Sequence, residues 1–155
     1  MNCDIKRYSS QDSVVSSDDT TFYLLILFNL NYLFMNPAKN FVDLVVWQKS
    51  HQFVLDVYKY TNFFPKEEIY ALTSQFKRAA ISIAANIAEG FKKKSNKDKA
   101  RFYNISQGSV EECRYYLILA KDLNYGDNVQ LMDQIAEISK ILDAYISAIE
   151  INSGF

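Results

Sequence analysis

Eight cations lie close together in the middle of a chain whose net charge is −1. Residues 77–101 carry eight positive and two negative side chains, a net charge of +6, whereas residues 102–155 carry a net charge of −5. The eight cations are Lys77, Arg78, Lys92, Lys93, Lys94, Lys97, Lys99 and Arg101. Such a cluster is suited to contacting phosphates, because each contact releases counterions from a nucleic acid. Two other interpretations stay open: a contact with the acidic fourth helix of a neighbouring subunit, and a solvated loop.

The position of three of these cations favours the phosphate interpretation. The third helix is predicted to begin at Ser95 or Asn96, and Lys97, Lys99 and Arg101 follow within its first turns. Cations near a helix N-terminus oppose the helix dipole, at about 0.3–1 kcal/mol each. A placement that costs stability indicates a gain elsewhere. The sequence therefore predicts nucleic-acid binding through residues 92–101, with Lys77 and Arg78 extending the surface along the second helix.

A second group of polar residues resembles a catalytic set but is better explained as a structural polar network. Asn86, Glu89, Gly90 and Glu112 lie on or beside the apolar faces of the second and third helices, which predicts a polar network that fixes helix register. The carboxylates have no histidine partner and no metal-ligand spacing. His51, the sole histidine, lies on an apolar face and is predicted to be a hydrogen-bonded core residue. We therefore expect no catalytic residue, no metal site and no cofactor, and hence no enzyme.

Composition places these residues in one helical domain. A chain of 155 residues with two prolines and four glycines favours long helices over a turn-rich β fold. Cys3 and Cys113 have neither metal-ligand nor disulfide-framework spacing, which predicts a reducing, cytoplasmic location.

Residues 1–34 differ from the rest of the chain. Residues 22–34 are thirteen mostly apolar residues, which span only about 20 Å as a helix, against about 30 Å for a bilayer core. Asp18 and Asp19 precede them where a signal peptide carries positive charge. We predict neither a membrane span nor a signal peptide. Residues 1–34 are interpreted as a non-core leader, translated upstream of a true start at Met35; an extra helix packed on the domain is the alternative.

Four apolar stripes with helical spacing follow between residues 43 and 150. The first two are Leu44, Trp47, His51, Val54, Tyr58 and Thr61, then Ile69, Leu72, Phe76, Ala80, Ile83, Ile87 and Phe91. The last two are Phe102, Ile105, Ser109, Cys113, Tyr116, Ala120 and Leu123, then Met132, Ile135, Ile138, Leu142, Tyr145 and Ile149. Asp43 is predicted to cap the first helix. The second is predicted to start at Pro65, or to restart near Thr73 after a short first turn.

These stripes, joined by short loops, predict an all-α fold, an antiparallel up-down four-helix bundle within a domain of residues 35–155. Small residues should allow the second and third helices to approach closely. These residues are Ala79, Ala80, Ala84, Ala85, Gly108 and Ser109. A further set of apolar or aromatic residues lies off the stripes: Val46, Phe53, Phe64, Tyr70 and Ile118. Because soluble monomers rarely expose large apolar patches, this set predicts a homo-oligomer.

The segments "FVDLVVWQKSHQFVLDVYKYT", "LTSQFKRAAISIAANIAEGF" and "RFYNISQGSVEECRYYLILAKDLNYG" resemble the 23S rRNA-intervening sequence proteins, which are related to the accessory protein of diversity-generating retroelements. The resemblance covers residues 41–150, and its most specific part is Asn86 to Gly90 together with Gly108 and Ser109. Asn124 departs from it, because the family often has glycine there.

The resemblance implies a four-helix bundle that often assembles as a ring-like homopentamer, without an established activity. The retroelement relative implies nucleic acid and a reverse transcriptase as partners. Together with the charge pattern, this predicts a non-enzymatic accessory protein that binds RNA or DNA through a basic loop, with no membrane association. The alternative is an oligomeric interaction scaffold that docks a protein and does not bind nucleic acid.

Overall fold

A computed structural model describes residues 38–151 of the chain. They form four α-helices: α1 (Val45–Tyr60), α2 (Leu72–Lys92), α3 (Asn96–Asp122) and α4 (Val129–Ile151). Short 3-10 turns lie at Phe41–Asp43, Thr61–Phe63 and Lys66–Tyr70, and residues 38–151 include no strand. This confirms the predicted all-α four-helix fold. The predictions about residues 1–34 and a start at Met35 lie outside the described residues.

The contacts between α2 and α3 show that these helices run in opposite directions. Only residues 93–95 connect them. Gly90, near the end of α2, lies against the ring of Tyr103 in the second turn of α3. Further along α3, the Ser109 hydroxyl lies 2.8 Å from that of Ser82, which comes earlier in α2.

Helices α3 and α4 also run in opposite directions. The rings of Tyr103 and Tyr145 lie 6.4 Å apart, near the start of α3 and towards the end of α4. At the opposite end, the Asn128 amide donates a 2.6 Å hydrogen bond to the Leu117 carbonyl of α3. The predicted up-down arrangement therefore agrees with the contacts between α2 and α3 and between α3 and α4.

The core is a continuous column of apolar side chains from all four helices, which supplies the main stabilising term of the fold. Its large members below 2% exposure are Val46, Phe53, Val57, Phe76, Ile83, Ile87, Val110, Cys113, Leu117, Ile135, Ile138 and Leu142. In α2, the predicted stripe from Leu72 to Ile87 is buried, whereas Ile69 in the preceding turn is exposed.

The predicted face of α1 is partly wrong. Leu44, Val54 and Thr61 are buried, but His51 and Tyr58 are exposed. The His51 imidazole stacks on the Trp47 ring with centroids 5.0 Å apart, so it is a surface residue and not a hydrogen-bonded core residue. Apolar residues occur on several sides of this helix, and more than one line along it satisfies a helical spacing.

The residues that were predicted to lie outside the core divide into two groups. Val46, Phe53 and Phe64 are buried, which corrects the prediction for these three. Tyr70 and Ile118 are exposed, as predicted.

The buried face of α3 agrees with the predicted stripe at Ser109, Cys113 and Ala120 and differs from it at three other positions. Tyr103, Ser106 and Leu117 are buried where the prediction had Phe102, Ile105 and Tyr116. The close contact between Tyr103 and Gly90 turns Tyr103 inward at the start of α3.

Helix boundaries follow local chemistry with two differences from prediction. Asp43 does not cap α1, because its carboxylate accepts the Asn40 amide at 2.9 Å and completes the capping box of the preceding 3-10 turn. After Pro65 the chain forms a 3-10 turn, and α2 begins at Leu72, as the restart alternative predicted. Asn124 adopts φ 59°, a left-handed conformation that asparagine tolerates better than most residues, which suits its place in a turn.

Candidate functional site

The turn between α2 and α3 presents the basic segment at one end of the bundle. Lys92 is the last residue of α2, and Lys93 takes up an extended conformation that ends the helix. The Ser95 hydroxyl accepts the Asp98 backbone N–H at 3.0 Å, which caps α3. The three-residue connection therefore holds the lysines on both sides of it close together.

We call the cations of this turn the basic rim: Lys92, Lys93, Lys94, Lys97, Lys99 and Arg101. Lys93 and Lys99 are half-buried, and the other four are exposed. The Lys93 ammonium lies 4.2 Å from the centroid of the Phe102 ring, a cation–π contact that orders this side chain.

The charge of the basic rim is not neutralised by ion pairing. Three salt bridges occur within residues 38–151, Lys49–Glu137, Lys59–Asp56 and Arg114–Glu111, and none includes a rim cation. The nearest acid in sequence, Asp98, accepts a 2.7 Å hydrogen bond from the Ser95 hydroxyl. The rim therefore keeps a concentrated positive charge facing solvent.

A further cation, Lys39, lies at the same end of the bundle and was not among the predicted site residues. It lines a groove with Phe41, Glu89, Lys92 and Lys93. The predicted site was based on charge along the chain, whereas antiparallel packing brings the segment that precedes α1 beside the end of α2. The predicted up-down topology was the signal that could have found it.

The opposite flank of the rim is a second groove of mixed charge. Lys97, Arg101 and Asn104 line it with Asp98 and Glu150. Glu150 lies near the end of α4, so this flank presents both signs of charge.

Lys77 and Arg78 do not belong to the rim itself. They lie near the start of α2, fifteen residues before Lys92, which corresponds to about 22 Å along the helix at 1.5 Å per residue. The Lys77 ammonium lies 4.6 Å from the centroid of the Tyr58 ring on α1. The eight predicted cations therefore form two separate clusters.

The predicted polar network is not assembled as proposed. Asn86 donates to the Ser82 carbonyl and hydroxyl at 2.8 and 3.0 Å, and the Ser82 hydroxyl contacts that of Ser109 on α3. Glu89 and Glu112 are both exposed. The structure therefore keeps Asn86 in a network but separates it from the two carboxylates.

The remaining members have other partners. Glu112 accepts a 2.7 Å hydrogen bond from the Tyr116 hydroxyl, one turn along α3. Gly90 is buried against Tyr103 and acts through its lack of a side chain. Ser82 was not predicted to belong to this network, although a serine among the alanines of α2 could have indicated it.

Burial sets the titration of the groups nearest the core. Burial, with a smaller effect of Tyr145, raises the pKa of Tyr103 to about 12. Burial and the hydrogen bond to Glu112 raise the pKa of Tyr116 to about 12. Burial also raises the pKa of the Cys113 thiol. These three groups stay protonated at neutral pH and supply neither a base nor a thiolate there.

Neither a metal site nor a membrane span is found within residues 38–151. No group of three or more His, Cys, Asp or Glu side chains there is arranged to hold a metal ion. Within the same range, every helix is too short or too polar to cross a membrane.

Similarity to known proteins agrees with this architecture. A crystal structure of a protein of unknown function from the S23 ribosomal protein family of Bacteroides thetaiotaomicron VPI-5482 superposes with a TM-score of 0.61 at 27% identity. The match covers 66% of this chain and 96% of that one. No curated protein matches the chain. The profile of the 23S rRNA-intervening sequence proteins matches residues 42–144, about two thirds of the sequence. The chain therefore belongs to the family of 23S rRNA-intervening sequence proteins.

Proposed function

We propose that this protein is a non-enzymatic accessory factor that binds RNA or DNA through the basic rim, extended by Lys39, without a metal or cofactor. The observation that supports this most strongly is the concentration of rim cations at one end of the bundle, with no salt bridge to them within residues 38–151. Lys97 and Lys99 lie in the first turn of α3, where the helix dipole opposes them. Phosphates are the ligands that offset this cost.

The proposed binding is largely independent of nucleic-acid sequence. Lysine presents a compact ammonium and not the planar bidentate fork by which arginine reads guanine. Contacts of this type position a protein on the phosphate backbone and make affinity strongly salt-dependent. The proposal includes a cytoplasmic location, which the free, buried thiol of Cys113 supports.

A charge-matched pair of variants tests this function. The rim variant replaces Lys92, Lys94 and Lys97 with serine and leaves Lys93, which packs on Phe102. The control variant also removes three lysines, from positions outside the rim: Lys49, Lys59 and Lys121. Affinity for labelled RNA and DNA duplexes is measured by anisotropy across a salt titration.

The rim variant should bind both duplexes more weakly and show a shallower salt slope, by about 0.9 for each phosphate that the protein no longer neutralises. The control should bind like the wild type. Thermal stability should change little in either variant, because exposed ion pairs contribute about 0–1 kcal/mol each. Equal losses of affinity in both variants, or no binding by the wild type at low salt, would refute the function.

The exposed apolar residues favour a second proposal, that the chain forms a homo-oligomer. Tyr70 and Phe63 are 93% and 81% exposed, and Ile118 on α3 is also exposed. A partner surface would cover them. The proposed oligomer is a ring-like homopentamer, as the family resemblance implies. The proposal includes a reverse transcriptase, which the retroelement relative implies, or another protein as a further partner.

Sedimentation at micromolar concentration tests this second proposal, since a lone species of 17.9 kDa excludes it. If the rim variant dissociates into monomers but keeps its nucleic-acid affinity, the rim serves subunit contacts. The interaction scaffold then replaces the accessory factor as the function.

A further inference from the structure

A second positively charged site lies between α1 and α2, far from the basic rim. It is an open cleft of about 510 Å³, and residues of the Lys66–Tyr70 turn form one of its sides. Its charged and apolar lining includes Tyr58, Phe64, Lys66, Ile69, Lys77 and Arg78. Among residues 38–151, three cations and no carboxylate line the cleft.

The cations of the cleft form no salt bridge with the acids of residues 38–151. None of the three salt bridges in residues 38–151 includes Lys66, Lys77 or Arg78. Glu68 belongs to the same turn, but its carboxylate accepts the Leu72 backbone N–H and the Tyr125 hydroxyl, each at 3.1 Å. Glu67 is exposed and does not line the cleft.

The cleft also presents apolar surface to solvent. The Tyr58 ring is 42% exposed despite the Lys77 ammonium beside it, and Ile69 and Ile81 are exposed to a similar extent. Cations beside an exposed ring are the combination with which proteins hold unpaired nucleotides, since the ring stacks on a base and the cations contact phosphates.

We propose that this cleft binds unpaired nucleotides of the same nucleic acid whose phosphates contact the basic rim. The inference rests on the proposed function and adds to it a preference for nucleic acid that has a single-stranded segment. Tyr58 supplies the stacking surface. Lys66 and Arg78 contact the phosphates on either side of the stacked base.

The geometry of α2 connects the two sites. Residues 77, 81, 85, 88 and 92 follow one another by three or four, so they lie on one face of this helix. Small or apolar residues, Ile81, Ala85 and Ala88, occupy the face between its two cationic ends. Exposed Glu89 borders this face beside Lys92. A ligand that covers about 22 Å can contact both sites along Ile81 and Ala88.

The test compares two fluorescent RNA probes on the full chain. One is single-stranded oligouridine of about 12 nucleotides, and the other a blunt duplex of about 12 base pairs. At about 3.4 Å per base pair for B-form DNA, and somewhat less for A-form RNA, such a duplex is longer than the separation of the two sites. Affinities are measured for Tyr58→Leu, which keeps the apolar bulk, and for Tyr58→Phe, which keeps the ring.

Tyr58→Leu should weaken single-strand binding by about tenfold and leave duplex binding unchanged, whereas Tyr58→Phe should match the wild type. Replacement of Tyr115, a similarly exposed tyrosine on α3, with leucine is the control and should change neither affinity. A double Lys66→Ser and Arg78→Ser variant should also weaken single-strand binding.

The failures of the two proposals are distinguishable. Unchanged single-strand affinity in Tyr58→Leu, while the rim variant still loses duplex binding, overturns the cleft and leaves the proposed function intact. Absence of binding to either probe by the wild type overturns both. If Tyr58→Leu keeps its RNA affinity but sediments as a smaller species, a second copy of the chain occupies the cleft and the proposal is wrong.

Discussion

The α2–α3 interface and the α1–α4 interface join helices of the same bundle by different means. Between α2 and α3, small residues bring the backbones close. A Cβ atom placed on Gly90 would lie only 2.6 Å from Cε1 of Tyr103. About two turns before Gly90 in α2, the Ile83 carbonyl accepts a 3.0 Å hydrogen bond from the Ser106 hydroxyl of α3.

Between α1 and α4, longer polar side chains bridge the helices at the surface. The Gln134 amide donates a 3.0 Å hydrogen bond to the Asp56 carboxylate. Lys49 and Glu137 form a 2.8 Å ion pair whose side chains are 40% and 36% exposed. Water competes for both of these contacts.

This difference separates two kinds of sensitivity. At the α2–α3 interface the backbones lie close because residues such as Gly90 have little or no side chain. Atoms added there would meet buried neighbours, so a larger side chain should destabilise the fold sterically. At the α1–α4 interface the contacts are electrostatic and screened, so their removal should cost little. Three predictions test this comparison, from the largest expected effect to the smallest.

Two glycine substitutions should shift stability in opposite directions. Gly90→Ala places a methyl group against the ring of Tyr103, which is 2% exposed. Overpacking costs about 1–3 kcal/mol and should outweigh the gain of about 0.8–1 kcal/mol in helix propensity. In Gly108→Ala no atom lies within 4 Å of the new methyl group. This variant should therefore be more stable than the wild type by about the gain in helix propensity.

Chemical denaturation of both variants measures this difference as a change in the free energy of unfolding. Because the same substitution is made inside a helix at both positions, Gly108→Ala controls for propensity. A stabilised Gly90→Ala protein would show that Tyr103 moves aside easily, and that close approach is not what holds α2 and α3 together.

Gly108 also shows how far the sequence could predict this interface. Its small size predicts close approach, as for the alanines of α2, but it is exposed, and so is Ala85. Ala79, Ala80, Ala84 and Ser109 are buried as predicted. Small size marks candidate positions, whereas the rotation of each helix decides which of them face a neighbour.

That rotation depends on contacts between residues distant in sequence. The stripe of α2 was predictable because its large apolar residues follow one line among alanines and polar residues. In α1, apolar residues surround most of the helix, and only packing against Phe76 shows that Phe53 faces inward. In α3, the contact of Tyr103 with Gly90 sets the register.

The candidate site was predictable to the extent that it is local in sequence. The basic rim follows from one run of cations around a predicted turn. Lys39 joins it only through the packing of the start of α1 against the end of α2. The cleft combines Tyr58 with Lys66 and Arg78 from other elements, so no spacing along the chain reveals it.

Double-mutant cycles should give a larger coupling energy at the α2–α3 interface than at the surface. Replacing Ser82 and Ser109 with alanine, singly and together, removes a 2.8 Å contact that is half-buried between backbones. We expect a coupling of about 1 kcal/mol. The same cycle on Lys49 and Glu137 should give less than about 0.5 kcal/mol and disappear at high salt. Equal couplings at the two interfaces would contradict the comparison.

The smallest effect concerns Asp56, which accepts hydrogen bonds from both helices of the α1–α4 interface. Burial raises the pKa of the Asp56 carboxyl. Hydrogen bonds from Lys59, Gln134 and Gln52 together lower it by more, so the pKa lies below the ordinary value of 3.8. A carboxyl with a lowered pKa in the folded state stabilises the protein above its unfolded-state pKa, and this contribution is lost as pH falls through the folded-state value.

Asp56→Asn should therefore be slightly less stable than the wild type at neutral pH. The difference in the free energy of unfolding should begin to shrink near pH 3.8 and level off once the carboxyl is protonated in both states. Asp133→Asn, on the exposed side of α4, is the matched control for the loss of one negative charge. A difference between Asp56→Asn and the wild type that stays constant from neutral to acid pH would show that the α1–α4 interface does not depend on this charge.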